Sequence, residues 1–118
     1  MKLRLLGTTG YHPTNDRHTA CMMIPEHGLI LDAGTSMFRA RQFLATNTLD
    51  IFLTHAHLDH VIGLTYLFDV LYERPMDYVR VHGEEEKLLA LEQHLFHESL
   101  FPARPSFEWK PLSGSVPL

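Results

Sequence analysis

Four side chains able to hold a metal ion, His55, His57, Asp59 and His60, fall within six residues in the stretch Thr54-His55-Ala56-His57-Leu58-Asp59-His60. Imidazole nitrogens with one carboxylate and no thiolate form a donor set suited to zinc, iron or manganese, and they point to a catalytic rather than a structural site. The stretch follows an apolar run, Leu49-Asp50-Ile51-Phe52-Leu53, that reads as a buried strand. Strand ends are where α/β sheets place their chemistry. Because the residues that follow have helical character, a strand-to-helix turn folds His55 and His57 toward one ion, while Asp59 and His60 project from the helix start toward a second. The plain alternative is a set of solvated loop histidines or helix-capping groups. A bare His-x-His would favour that alternative, but four donors between a buried strand and a glycine-containing helix favour a metal.

The elements that must position this loop are legible from turns and periodicity. Leu3, Leu5 and Leu6 read as a first strand, stopped at Gly7-Thr8-Thr9-Gly10, a turn bordering the site. It is not a phosphate cradle, since no helix with an apolar period begins there and no Lys-Ser/Thr pair follows. Residues 11–18 are a polar loop whose His12 and His18 either approach the metals or the substrate, or are solvated. Apolar runs at 19–24 and 29–31 flank Pro25-Glu26-His27-Gly28, the pattern of a hairpin that delivers Asp32. There the acid either caps the turn or orients a metal-bound histidine.

Thr35 or Ser36 is placed to cap a helix over 35–45, with Met37, Ala40 and Leu44 inward and Arg39 and Gln42 outward. Strand, helix, strand in that order predicts parallel pairing. A second helix is predicted over 61–72, with Leu64, Leu67, Phe68 and Leu71 inward and Gly63 explained by a close backbone approach. A strand at 78–81 follows, with His82 at its end, then a helix over 84–96 opened by three glutamates at its positive N-terminal end. His94 and His97 on its later turn, at i and i+3, could hold a metal but more often such a pair means an exposed face. A short strand is predicted at 106–110, and the final residues 113–118 do not resemble a domain ending.

Composition bounds the rest. The chain has 118 residues, enough for one domain with a core but not two. A charged fraction of 20% and an apolar fraction of 45% exclude a disordered chain, and a net charge of −4 provides no basic stripe for a dedicated nucleic-acid binder. The single Cys21 cannot form an intrachain disulfide and reads as a buried small side chain, which fits a reducing compartment. With no signal peptide and no apolar run of membrane-spanning length, the expectation is a cytoplasmic protein without membrane association.

The run Leu53-Thr54-His55-Ala56-His57-Leu58-Asp59-His60-Val61-Ile62-Gly63 resembles the T-H-x-H-x-D-H signature of the metallo-β-lactamase superfamily. Leu3-Arg4-Leu5-Leu6-Gly7-Thr8 and Leu31-Asp32-Ala33-Gly34-Thr35 are similar to elements of its ribonuclease Z and phosphodiesterase branch. The resemblance implies an αββα sandwich of which residues 1–118 supply the N-terminal half, a mixed sheet with helices and no internal boundary. It implies two divalent ions, zinc first with manganese or iron as alternatives, bound by His55, His57, Asp59 and His60. Asp59 would also orient the attacking hydroxide, with Asp32, Gly34 and Thr54 supporting the ligands from behind. The substrate would be a small-molecule or RNA phosphodiester. In the family a third histidine, a bridging aspartate and a further histidine lie downstream, and this chain stops before them. The expectation is therefore weak or absent activity alone. The alternatives are a non-catalytic metal-binding fragment and an interaction module that pairs with a second copy or with a complementary C-terminal half.

Overall fold

Short apolar runs punctuated by glycine and proline become six strands. They are β1 (Arg4–Gly7), β2 (Cys21–Ile24), β3 (Leu29–Leu31), β4 (Thr48–Phe52), β5 (Tyr78–Glu84) and β6 (Glu108–Leu112). The computed structural model describes residues 2–112; the terminal stretch 113–118 lies outside them. The strands form one mixed sheet whose spatial order is the order of the sequence. β1, β2 and β3 pair antiparallel, and β3 through β6 pair parallel. The β2–β3 hairpin turns through a 3-10 helix, Pro25–His27, and closes at Gly28, whose φ of 60° suits a residue without a Cβ.

Parallel neighbours need crossovers, and right-handed crossovers between consecutive strands all fall on the same face. Burial follows that rule. Ile30, Leu49, Ile51 and Val81 are fully buried beneath the helical connections, together with Met37, Ala40, Leu64 and Leu67. Their neighbours along each strand are only half-buried, so the second face is open to solvent. One register row crosses that face from Leu5 through Met22, Leu31, Phe52 and His82 to Lys110. It is apolar on the β1–β4 side and polar toward β6.

The helices depart from their sequence-based outlines, each for an identifiable reason. The segment after Gly34 is a 3-10 helix, Thr35–Phe43, with Gly34 rather than Thr35 or Ser36 at its N-cap. Both hydroxyls bond instead to Thr19, two residues before β2: Thr19 N–H donates to Thr35 Oγ1 at 2.8 Å, and Ser36 Oγ donates to the Thr19 carbonyl at 2.6 Å. Arg39, predicted outside, reaches the Leu6 carbonyl at 2.6 Å. The predicted helix over 61–72 is broken into α1 (Leu58–Val61), a 3-10 turn (Ile62–Tyr66) and α2 (Leu67–Val70). Gly63 N–H donates to the Ala33 carbonyl at 2.7 Å, which removes it from the helical ladder. A Cβ at Gly63 would collide with the Gly34 carbonyl and Met37, which is the close approach that glycine permits. With the helix re-phased, Val70 is buried and Phe68 is exposed.

The third helix begins as α3 (Glu85–Ala90) and continues as a π turn, Leu91–Leu95. His94 and His97 are exposed there. β5 runs three residues past Val81, so His82 lies inside the strand on the open face. Its Nε2 is 2.7 Å from Asp50 Oδ1 and its ring stacks on Phe52 at 4.2 Å. β6 starts at Glu108 and carries Pro111, which an edge strand tolerates.

Candidate metal centre

The histidine loop leaves the C-terminal end of β4, in the middle of the parallel part of the sheet. Backbone bonds seat it. Ala33 N–H donates to the His60 carbonyl at 2.7 Å, and Asp32 N–H to the Phe52 carbonyl at 2.8 Å, so the turn after β3 braces the loop after β4. A Cβ at Gly34 would collide with Thr19 and lie 2.6 Å from the Asp59 carbonyl oxygen, so the two turns touch only because residue 34 has no side chain.

Asp32 is the hub beneath the loop. It is 6% exposed and holds a left-handed φ of 62°, a conformation that aspartate tolerates better than most residues. Its Oδ1 accepts the Thr54 N–H at 2.8 Å and its Oδ2 accepts the Thr54 hydroxyl at 2.7 Å. With its proton given to Asp32, Thr54 Oγ1 can only accept from His55 Nδ1, 2.9 Å away. That assigns the proton of His55 to Nδ1 and leaves the Nε2 lone pair for a ligand. His60 Nδ1 lies 3.4 Å from Asp32 Oδ2, buried and without a hydrogen-bond partner, while its Nε2 lies 3.3 Å from Asp59 Oδ2.

The three rings cluster. His55 is 5.9 Å from His57 and 4.8 Å from His60 between centroids. Two imidazoles held at about 2.0–2.1 Å by one tetrahedral ion have centroids roughly 5 Å apart, so these spacings suit shared ions. Among the described residues, no three His, Cys, Asp or Glu side chains are arranged to hold a single ion. The donors suit a divalent ion by chemistry, but in geometry they come together only in pairs, Asp59 and His60 the closest. Asp59 is held below the usual carboxylate range chiefly by the Tyr11 N–H, which donates to Oδ2 at 3.0 Å, with His60 and His57 adding to the effect.

Three other histidines are engaged elsewhere. His12 Nδ1 faces the Pro13 carbonyl at 2.8 Å, and His18 Nδ1 lies 3.3 Å from Thr35 Oγ1 with its ring edge on Phe38. His82 pairs with Asp50. Two neighbours of the site were missed in the sequence. One is the Tyr11 backbone, brought to Asp59 by a loop whose course no motif announces. The other is the start of α3, where Glu84, Glu86 and Lys87 stand across a cavity of about 410 Å³ from His55 and His57. The signal for the second was available, because a strand parallel to β4 must end beside the loop that β4 feeds.

Residues 19–114 match the family model described as class-II cAMP phosphodiesterases. The chain is also similar to ribonuclease Z of Bradyrhizobium sp. (strain ORS 278), 38% identical over 90 residues that cover 70% of this chain and 29% of that protein. The ribonuclease Z of Haloferax volcanii is 29% identical over 118 residues, covering 89% of this chain and 37% of the relative. That of Nitrosopumilus maritimus is 34% identical over 76 residues, 60% and 25% of the two chains. The chain thus spans between 25% and 37% of the length of these relatives. No helix among the described residues is long and apolar enough to cross a membrane. With a match over most of its length and the histidine loop at the expected strand end, the chain belongs to the class-II cAMP phosphodiesterase family, related to the metallo-β-lactamase superfamily.

Proposed function

We propose that this chain is the N-terminal part of a metallo-β-lactamase-like domain that hydrolyses phosphodiesters with two divalent ions, zinc first, in the cytoplasm. The observation that carries the reading is the Asp32-Thr54-His55 relay, which leaves one imidazole with an outward lone pair next to His57, His60 and Asp59. His55 and His57 would hold one ion, and Asp59 and His60 the other. Bound there, the ions would supply a hydroxide nucleophile near neutral pH and draw charge from a phosphoryl oxygen.

The chain's own groups do the positioning. Thr54 and Asp32 fix the His55 ring, and Asp32 is the carboxylate nearest His60 Nδ1. The Tyr11 N–H keeps Asp59 ionised and oriented, as a residue must be if it is to steer a hydroxide. Leaving-group protonation would fall to residues outside this segment, which covers 29% of the Bradyrhizobium relative. The substrate is a small or RNA phosphodiester.

A longer protein carrying this segment is expected to hydrolyse bis(p-nitrophenyl) phosphate in a metal-dependent manner. Turnover of thioesters or β-lactams with none of the diester would assign it to a different chemistry. The 118-residue chain alone is expected to bind metal with little or no turnover, since no three donors among the described residues are arranged to hold one ion. The open face of the sheet favours a second reading in parallel: this surface is where a complementary C-terminal half, or failing that another copy, completes the fold.

A further inference from the structure

The cavity between the histidine loop and α3 is lined by a cation, Lys87, that forms no salt bridge among the described residues. Lys87 is one of three lysines in the chain. Its side chain lines the cavity opposite His55 and His57 and is exposed. Glu84 and Glu86 line the same cavity, yet among the described residues neither forms a salt bridge with it, whereas Lys110 pairs with Glu108 at 3.2 Å and Arg104 lies 3.8 Å from Glu92. The small side chains of Ala56 and Ala90 leave the space open, and its volume of about 410 Å³ is that of a ligand site for a compact molecule.

We propose that Lys87 is a substrate-binding residue that receives a phosphate oxygen of the diester presented to the histidine loop. This rests on the phosphodiester reading of that loop and adds a residue to it. An ammonium group is a compact, mobile point charge suited to phosphate, and here it stands on the first turn of α3, lining the cavity beside the loop. Glu84 and Glu86 on the same rim repel a long polyanion, so the site admits a single phosphate group in preference to an extended nucleic-acid strand.

The test is titration of the 118-residue chain with phenyl phosphate, followed by the amide signals of α3 in NMR spectra and by calorimetry, with a short single-stranded RNA as a second probe. Wild type should bind phenyl phosphate, Lys87→Ala should weaken binding by about fivefold or more, and Lys87→Arg should stay within about twofold of wild type. Glu86→Gln should tighten binding and raise RNA affinity. Residue 87 is exposed, so the melting temperature should not move in any of these variants. Binding unchanged in Lys87→Ala, absent in wild type, or stronger for the RNA than for phenyl phosphate would overturn the proposal. Metal content measured on the same samples reports separately on the histidine loop, so loss of one reading is distinguishable from loss of the other.

Discussion

Ile30 and Leu31 are consecutive residues of one strand, and they sit in different solvents. Ile30 faces the helical side with no exposed surface, among Met37, Leu49, Ile51 and Leu64, whereas Leu31 joins the open row that runs from Leu5 to Lys110. The difference is topological rather than compositional. Sequential strand order with crossovers of one hand covers one face and leaves the other bare, whatever side chains occupy it. The bare face still alternates as a sheet should, with Leu5, Met22, Leu31 and Phe52 in apolar succession beside the polar Asp50, Tyr78 and His82. Apolar residues in such a row point to a surface meant for covering.

The largest expected effect distinguishes the faces directly. Ile30→Ala should cost about 2–5 kcal/mol, because the cavity lies in a closed core, while Leu31→Ala should cost about 1 kcal/mol or less. Urea unfolding at low protein concentration measures both. Equal losses would mean that the open face is covered after all. Next in size is Gly34→Ala, expected to destabilise by about 1–3 kcal/mol through overlap with Thr19 and the Asp59 backbone, and to loosen the histidine loop. Unchanged stability there would contradict the bracing of one turn by the other.

Leu5→Lys with Met22→Lys sharpens the comparison from the other side. Leu5 is 60% exposed, so the pair should change stability by only about 0.5 kcal/mol while reducing self-association in sedimentation. Association that persists unchanged would place the sticky surface elsewhere. The smallest effect concerns Cys21, fully buried in the helical face, where burial pushes the thiol up to about 12. The folded chain resists ionisation and the unfolded chain does not. This contribution to stability is therefore flat below the ordinary thiol range and is lost as pH climbs from about 8.5 toward 12. Native protein at pH 8 should react with a thiol reagent only on unfolding; rapid labelling in buffer would contradict the burial.

Much of this was legible in the sequence. Strand runs, the Pro25–Gly28 hairpin and the parallel order after it follow from turn chemistry and periodicity, and the histidine motif marked its own place after β4. Helix type was not legible. Thr35 and Ser36 have the chemistry of caps, and only the position of Thr19 in space turns their hydroxyls sideways. Gly63 signalled a close approach, but that its N–H would bond to Ala33 and break the helix depends on a contact 30 residues away in sequence. His82 looked terminal because the apolar alternation ends at Val81, while pairing with β6 carries the strand on to Glu84. For the site itself, composition suggested the donors of the loop, whereas the Tyr11 N–H on Asp59 is a backbone contact that no side-chain pattern encodes.

The metal site proposed at the loop after β4 is built from paired donors. Metal analysis of the 118-residue chain after equilibration with zinc or manganese tests it most directly, with His57→Ala/Asp59→Ala as the partner sample. Between about one and two ions per chain are expected in wild type and none in the double variant, with the fold of both intact by circular dichroism, since neither His57 nor Asp59 belongs to the core. Equal metal content in the two samples would contradict it.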